Sequence, residues 1–548
     1  MMIAIPQVIL VGYLLIVRGL YYATVDDILM QDIIRGAFLR GSWDAVYISP
    51  IFCAPVSWLY QLIPAIGWVG VIYIVVETLS MLVIDFGLAQ RASGVWETIL
   101  YCVASFICWY QMWWHFTFTT VAYSAVIGGI VLLLFGSVSI SNKYVRILSG
   151  ACLLIVGGLI RRDTLAGAAV VLFPIAIYRG IKCRERRFLI VLGTLLVMYV
   201  VIGIQDTAIR NTSAVEKEYT EWNKAREAIG DYLDVEDVIA TGIWSEDETK
   251  CFYEQIQLDK DVYSTETEIE IEKKVNAQKN MSDRVKETVY RFGECIKTMM
   301  HLRRYENIYV LLMGVLGLFI FVFYKDRRYD ACMAVSGFFL TVVVFAYINR
   351  SLYRILMPGG VLAVLLLLFF IPDGKKMLHK LLPAFFCFCV IIIMVHSHLP
   401  YVRDRESQFD PVNKEAMAYF ASHQDLLFLP AQSEAYGIAN CVPAIEVPEY
   451  DVANLLGNWN IYSEGYYAVA DSYGIEDPDH LVRSIPDSEV IRLVARTEDG
   501  VPDHVLSFIS EHSDKTDVHA ELEDTFYTVW MGEWGVYKVS GSVDSLQK

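Results

Sequence analysis

The chain has 548 residues, of which 55% are hydrophobic and only 20% charged, and its mean hydropathy is +0.41. A formal net charge of -17 argues against a nucleic-acid partner, which needs a basic face. Apolar runs of about 20 residues, enough to cross a bilayer, recur along the chain and predict an α-helical polytopic membrane protein.

Eleven spanning runs are expected, at 2–23, 67–89, 95–113, 116–136, 145–160, 164–178, 188–204, 305–324, 330–348, 354–371 and 381–398. The first is too long, and too poor in basic residues at its start, for a cleaved signal peptide, so it reads as a retained helix. Three basic clusters mark cytoplasmic loops by the positive-inside bias. They are Arg179 with Lys182, Arg184, Arg186 and Arg187; Lys325 with Arg327 and Arg328; and Lys375 with Lys376 and Lys380. Counting helices from these clusters puts the acidic segments 205–304 and 400–548 outside. It puts Asp26 and Asp27 outside as well, provided that 45–63 does not span. Pro50, Pro55 and Pro64 suit a broken or surface-lying segment there.

The expected organisation is a membrane module over 1–204 with a first outer loop, a mostly helical acidic loop over 205–304, further spanning helices over 305–399, and an extracytoplasmic α/β domain over 400–548. In the last, Leu426 to Leu429 and Val490 to Val494 read as buried strands, Pro502 to His512 as a helix, and Thr525 to Val539 as a hairpin turning near Gly532. Gly457-Asn458-Trp459-Asn460 and nearby tyrosines can stack on a sugar or simply fill a core. Arg18, Glu77 and Asp85 lie inside apolar runs, where pairing within the bundle is expected. The eleven cysteines have no metal-type spacing, and a disulfide among Cys251, Cys295 and Cys441 is the pairing left open.

Several unusual residues fall at one depth on the outer side: Asp26-Asp27 after the first run, Trp113-Trp114-His115, Arg161-Arg162-Asp163, and Asn349-Arg350 with Arg354. Arginines at short outer turns run against the positive-inside bias. Their planar fork suits phosphate, and a lipid phosphate would lie at this depth. A carboxylate can take the proton of a hydroxyl that attacks a sugar C1, while cations offset charge on a leaving phosphate. Asp26 and Asp27 are the candidate catalytic residues. His115, Arg161, Arg162, Asp163, Asn349, Arg350 and Arg354 are the candidate lipid-phosphate and substrate contacts. The acidic pair can instead hold Mg²⁺ or Mn²⁺, so the metal is left unassigned. It can also cap the helix that follows it.

These residues resemble the polytopic glycosyltransferases of the GT-C class. The resemblance rests on Val25-Asp26-Asp27, Phe116 to Thr120 opening a helix, Leu159-Ile160-Arg161-Arg162-Asp163-Thr164, and Asn349-Arg350 to Arg354-Ile355-Leu356-Met357-Pro358, and it covers about residues 1–400. It implies transfer of a sugar from a polyprenyl-phosphate carrier to a glycan, lipid or protein acceptor on the outer face of a bacterial plasma membrane. It also implies that an acidic residue of the first outer loop is catalytic, which maps onto Asp26 or Asp27. The Trp-Trp-Asp motif of oligosaccharyltransferases is absent, since His115 follows Trp113-Trp114, and this argues against protein N-glycosylation.

Rival functions make different demands. A flippase or transporter of lipid-linked saccharides predicts matched broken helices in an internal repeat, and none is visible. A polysaccharide polymerase or ligase would place its decisive residues in a large outer loop such as 205–304. A catalytically dead scaffold would tolerate Asp26→Asn.

Overall fold

The computed structural model of the chain describes residues 2–38, 45–136, 142–300, 307–350, 353–372, 385, 387–396, 413–439, 442–447, 455–529 and 532–542. The Lys375 cluster and Cys441 lie outside them. Each expected apolar run falls on a helix. The helices are α1 (Ile5–Tyr13, continued by irregular turns to Met2–Arg18), α2 (Val25–Arg35), α3 (Pro50–Leu62), α4 (Trp68–Arg91), α5 (Val95–Trp114), α6 (Phe118–Leu134), α7 (Lys143–Ile160), α8 (Asp163–Ile177, continued to Lys182) and α9 (Arg187–Arg210). The polar loop follows as α10 (Ala214–Gly230), α11 (Val235–Ile239), α12 (Glu246–Tyr253), α13 (Thr265–Gln278) and α14 (Met281–Met300). The bundle resumes with α15 (Ile308–Phe323), α16 (Arg328–Tyr347), α17 (Tyr353–Phe370) and α18 (Cys387–His396).

Among the described residues, six helices are long and apolar enough to cross a membrane: α4, α7, α8, α9, α16 and α17. α1, α6, α15 and α18 are shorter apolar helices. The chain is thus an α-helical polytopic membrane protein by length and composition of its helices. Close approach sets part of the packing. A Cβ on Gly337 of α16 would lie 1.9 Å from the carbonyl oxygen of Val171 in α8, so only glycine lets these two backbones meet.

The bundle has two distinct ends. At the basic end, Arg91 donates to the Phe369 carbonyl at 2.6 Å and Arg187 to the Leu134 carbonyl at 2.7 Å, while Arg179 is held by Asp330 and Glu185. At the opposite end, the Ala23 N–H donates to the Phe116 carbonyl at 2.9 Å and the Ser49 N–H to the Leu159 carbonyl at 2.9 Å. Both termini of α3 lie at this second end, because the Tyr60 hydroxyl accepts the Val69 N–H at 3.2 Å where α4 begins. The segment 45–63 therefore turns back without crossing. Pro55 lies inside this 13-residue helix and Pro64 just beyond it.

Arg18, Glu77 and Asp85 do not pair with one another as expected. Arg18 lies over the Trp114 ring at 3.9 Å, Glu77 accepts the Ser124 hydroxyl at 3.0 Å, and Asp85 accepts that of Ser105. In each acid one carboxylate oxygen takes a serine hydroxyl, while the other, Glu77 Oε2 or Asp85 Oδ2, is buried without a hydrogen-bond partner among the described residues. Among the described residues Cys251 and Cys295 form no disulfide.

After α19 (Asn413–Ser422) the chain builds a four-stranded sheet, β1 (Leu427–Pro430), β2 (Ile491–Arg496), β3 (Thr516–Thr528) and β4 (Gly532–Ser542), in the order β1-β2-β4-β3. β1 and β2 are parallel, with Leu429 opposite Leu493, and the remaining pairs are antiparallel. α20 (Glu464–Ser472) and α21 (Asp503–His512) complete a small α/β unit. The hairpin strand β3 starts at Thr516, earlier than the alternation of Thr525 to Val539 suggests, because its first residues are mostly exposed and carry little pattern. This unit docks on the second end of the bundle. The Ala444 N–H donates to the Leu20 carbonyl at 2.7 Å, the Gly67 N–H to the Ile445 carbonyl at 3.0 Å, and the Tyr219 hydroxyl to the Trp459 carbonyl at 2.6 Å.

Candidate functional site

Two adjacent aspartates begin α2, and helical geometry sends their side chains to different partners. Asp27 is fully buried. Its Oδ1 accepts the Phe118 N–H at 2.6 Å and its Oδ2 the Thr24 hydroxyl at 2.6 Å. It satisfies a free donor at the start of α6 and pins α2 to that helix. Burial pushes its pKa up to about 7, against the pull of the Thr24 and Phe118 hydrogen bonds. The expected cap for the helix after the pair is thus replaced by a cap on α6, since Thr24 spends its hydroxyl on Asp27.

Asp26 faces the other way. Its Oδ2 accepts from Arg354 Nη1 at 2.7 Å, its Oδ1 lies 3.4 Å from Trp459 Nε1, and its side chain is 22% exposed. Tyr47 closes the same wall, edge-on to Trp459 at a ring separation of 5.2 Å and beside Phe118 at 6.3 Å.

Arg161 is buried at the turn between α7 and α8. Its Nη1 donates to the Thr119 hydroxyl at 2.7 Å and its guanidinium lies 4.6 Å from the Phe118 ring centroid. Among the described residues no carboxylate lies within ion-pair distance of it. Burial, then the charges of Arg354 and Arg350, disfavour its protonated form, partly offset by Asp163 between them in weight. Phe118, through its backbone N–H and its ring, therefore stands between Asp27 and Arg161, and Thr119 beside it holds Arg161.

The other expected residues divide. Arg162 and Asp163 sit at the rim, 3.8 Å apart and partly exposed, with Arg162 over the Tyr199 ring at 4.8 Å. With Arg161, Tyr47, Asp206 and Glu227 they bound a polar cavity of about 280 Å³. His115 is buried, with its ring 4.7 Å from that of Tyr353 and its carbonyl accepting the Thr120 hydroxyl at 2.7 Å, so it spaces α5 from the start of α17. Asn349 takes a left-handed conformation (φ 58°) and donates to the Tyr232 carbonyl at 3.1 Å and Asp234 at 3.2 Å. Arg350 pairs with Asp231 at 2.6 Å and donates to the Tyr232 hydroxyl at 2.9 Å. These two residues tie the α16–α17 turn to the end of α10.

The structure thus brings Asp26, Arg354 and Arg161 to one place and spends Asn349 and Arg350 on the polar loop. Sequence reasoning missed Trp459 as a partner of Asp26, although Gly457 to Asn460 drew notice, and missed Tyr47, which carries no local signal. Trp459 is only 3% exposed, so its ring is packed and not open for stacking. Among the described residues, Asp26 and Asp27 belong to no group of three His, Cys, Asp or Glu side chains close enough to share a metal. Among the described residues the one such group is Asp259, Asp261 and His480. In this arrangement Arg354 occupies Asp26 Oδ2 and the Trp459 indole lies nearest to Oδ1.

No protein-family model matches the chain, and no curated protein matches it. Among solved structures, the chain is similar to ArnT from Cupriavidus metallidurans in the apo state, at 13% identity and a TM-score of 0.39, with 97% of this chain and 98% of that chain covered.

Proposed function

We propose that the chain is a GT-C-type membrane glycosyltransferase that moves a sugar from a polyprenyl-phosphate carrier to a cell-envelope acceptor at the end of the bundle that carries Asp26. In this reading residues 1–204 and 305–399 form the membrane module, the basic end is cytoplasmic, and 205–304 and 400–548 cover the module from outside. The observation that carries it is Arg161, a buried guanidinium beside the Asp26–Arg354 pair whose charged neighbours are Arg354, Asp163 and Arg350 and which, among the described residues, has no carboxylate within ion-pair distance. Such a cation is satisfied by an anion brought from outside, and phosphate matches a guanidinium fork.

The chemistry follows from the placement. An acceptor hydroxyl attacks C1 of the donor sugar, the C1–O bond to phosphate breaks, and polyprenyl phosphate leaves with the electron pair. Asp26 takes the hydroxyl proton, for which it is the exposed member of the acidic pair. Arg161 and Arg354 offset the charge that grows on the leaving phosphate. Asp27 holds α2 against α6 and sets where Asp26 points. The polar cavity under Arg162 and Asp163 offers donors and acceptors to a sugar hydroxyl.

The test is sugar transfer in proteoliposomes supplied with polyprenyl-phosphate sugars and an envelope acceptor fraction, comparing wild type with Asp26→Asn and Arg161→Ala. Transfer by wild type that collapses in Asp26→Asn supports the reading. Equal transfer in both defeats the assignment of Asp26.

A further inference from the structure

α14 is a 20-residue helix in the polar loop, and its sides differ in a way that identifies its surroundings. One side is packed on the protein. Cys295 and Met299 are buried there, and Arg291 on that side pairs with Asp234 at 2.8 Å. A second side, one helical row around, carries Met281, Val285, Val289, Phe292, Ile296 and Met300. Four of these are strongly exposed: Met281 at 73%, Val285 at 54%, Val289 at 65% and Met300 at 67%. The third side is exposed and mainly polar, with Lys286, Glu294 and Lys297 beside Tyr290. At 100° per residue the apolar row lies between the packed side and the polar side.

A helix surrounded only by protein and water has no use for that middle row. A row of exposed aliphatic side chains in that position is stable where a third phase meets the other two. The position in the chain supplies that phase. The Asn307 side chain donates to the Thr298 carbonyl at 2.6 Å, so the last turn of α14 is fixed beside the first residue of α15, an apolar helix of the bundle. α14 also packs against α16, whose own exposed residues Phe339, Val343 and Tyr347 form an i, i+4, i+8 stripe that ends beside α14. The apolar row therefore continues a surface that already faces the bilayer.

We propose that α14 lies in the plane of the membrane surface, with Met281, Val285, Val289 and Met300 among the lipid acyl chains and Lys286 and Lys297 at the level of the headgroups. The partner is the phospholipid bilayer. An apolar cavity of about 290 Å³ between α14 and the bundle, lined by Cys295, Met299, Tyr309, Tyr353 and Leu356, is then held at headgroup depth.

The experiment uses the full chain in nanodiscs, with an environment-sensitive fluorescent amino acid placed at position 289 or at position 286. Brominated phospholipids are expected to remove most of the emission at 289 and little at 286. Equal quenching at the two positions, or none at 289, overturns the proposal. The unaltered chain gives a second readout through a photoactivatable phospholipid. Adducts are expected on Met281, Val285 and Val289 and not on Glu294 or Lys297, and a peptide covering 281–300 without adducts also overturns it.

Discussion

Asp26 and Arg354 meet at 2.7 Å although 328 positions separate them in the chain. The pair joins the helix after the first span to the start of α17, and the Trp459 indole approaches the same carboxylate. If Asp26 is the base, Asp26→Asn keeps the shape and removes the proton acceptor. Transfer should fall by roughly 10²- to 10⁴-fold, the usual contribution of a positioned general base. Thermal melting of the purified variant should change little, because Asp26 is partly exposed. Comparing the loss of transfer with the melting curve separates a chemical role from a structural one.

Asp27 should behave in the opposite way. Asp27→Ala leaves the Phe118 N–H without its acceptor at a buried helix start, at a cost of about 1–3 kcal/mol. The pH dependence is also distinctive. The carboxyl has an ordinary value of 3.8 and is raised to about 7 by burial. Between these values the folded chain holds a proton that the unfolded chain has lost, so this group's contribution falls as pH rises from about 4 to about 7 and is constant above. Asp27→Asn should flatten that part of the stability curve, which denaturant titrations at several pH values can measure.

Arg161 can be tested through its ligand. Arg161→Ala removes a charge-assisted contact worth about 1.5–3 kcal/mol, which is roughly a 10- to 100-fold rise in KM for the lipid-linked donor. Thr119→Val removes the hydroxyl that orients the guanidinium and keeps the charge, so its effect should be smaller and in the same direction. A KM unchanged in both variants would remove the phosphate from this position.

Much of this arrangement was legible in the sequence, and the reasons for the rest are physical. Spanning runs show because bilayer burial demands about 20 apolar residues in a row. The three prolines of 50–64 foretold that α3 turns back. Arg161 showed as a cation at a short turn on the less basic side. The division of labour within Asp26-Asp27 did not show, because it depends on which helix each carboxylate meets, and Phe118 is 91 residues away from Asp27. Trp459 and Tyr47 reach the site through tertiary packing alone. The partners of Glu77 and Asp85 were missed for a simpler reason: each acid meets a serine hydroxyl, and serine leaves no charge pattern to read.

Two histidines clasp the polar loop to the C-terminal unit. His480 lies 2.9 Å from Asp261 and 3.0 Å from Asp477, and His512 lies 3.0 Å from Glu248. Burial opposes charge on His480, but Asp477 and Asp261 outweigh it, with Asp259 adding to them. On His512 the Glu248 hydrogen bond outweighs burial, with Asp259 and Glu511 adding to it. Arg483, 3.7 Å from Asp477, is the nearby cation. Both imidazoles are thus raised above their ordinary value of 6.5. Their stabilisation is complete below about pH 6.5 and is lost as pH rises through the raised values. Hydrogen exchange of 459–485 should speed up at alkaline pH in wild type. The double variant His480→Asn with His512→Asn should exchange fast at every pH, and a wild-type rate indifferent to pH, once intrinsic exchange is corrected for, would dismiss the clasp.

Gly70 tests whether docking of the C-terminal unit matters to the site. A Cβ there would lie 1.9 Å from the carbonyl oxygen of Ala444, and the obstruction is backbone, which cannot rotate away as a side chain can. Gly70 sits in the first turn of α4, so alanine suits the helix itself and favours it by about 1 kcal/mol. The clash acts on the 443–446 segment, which bonds to Leu20, Gln31 and Gly67. Gly70→Ala should therefore loosen that segment at a net cost of about 1–3 kcal/mol, the range for overpacking. Trp459 lies thirteen residues further on, so its contact with Asp26 should weaken too. Limited proteolysis after residue 447 and sugar transfer would then change together. Faster cleavage with transfer intact would show that the C-terminal unit covers the site without serving it.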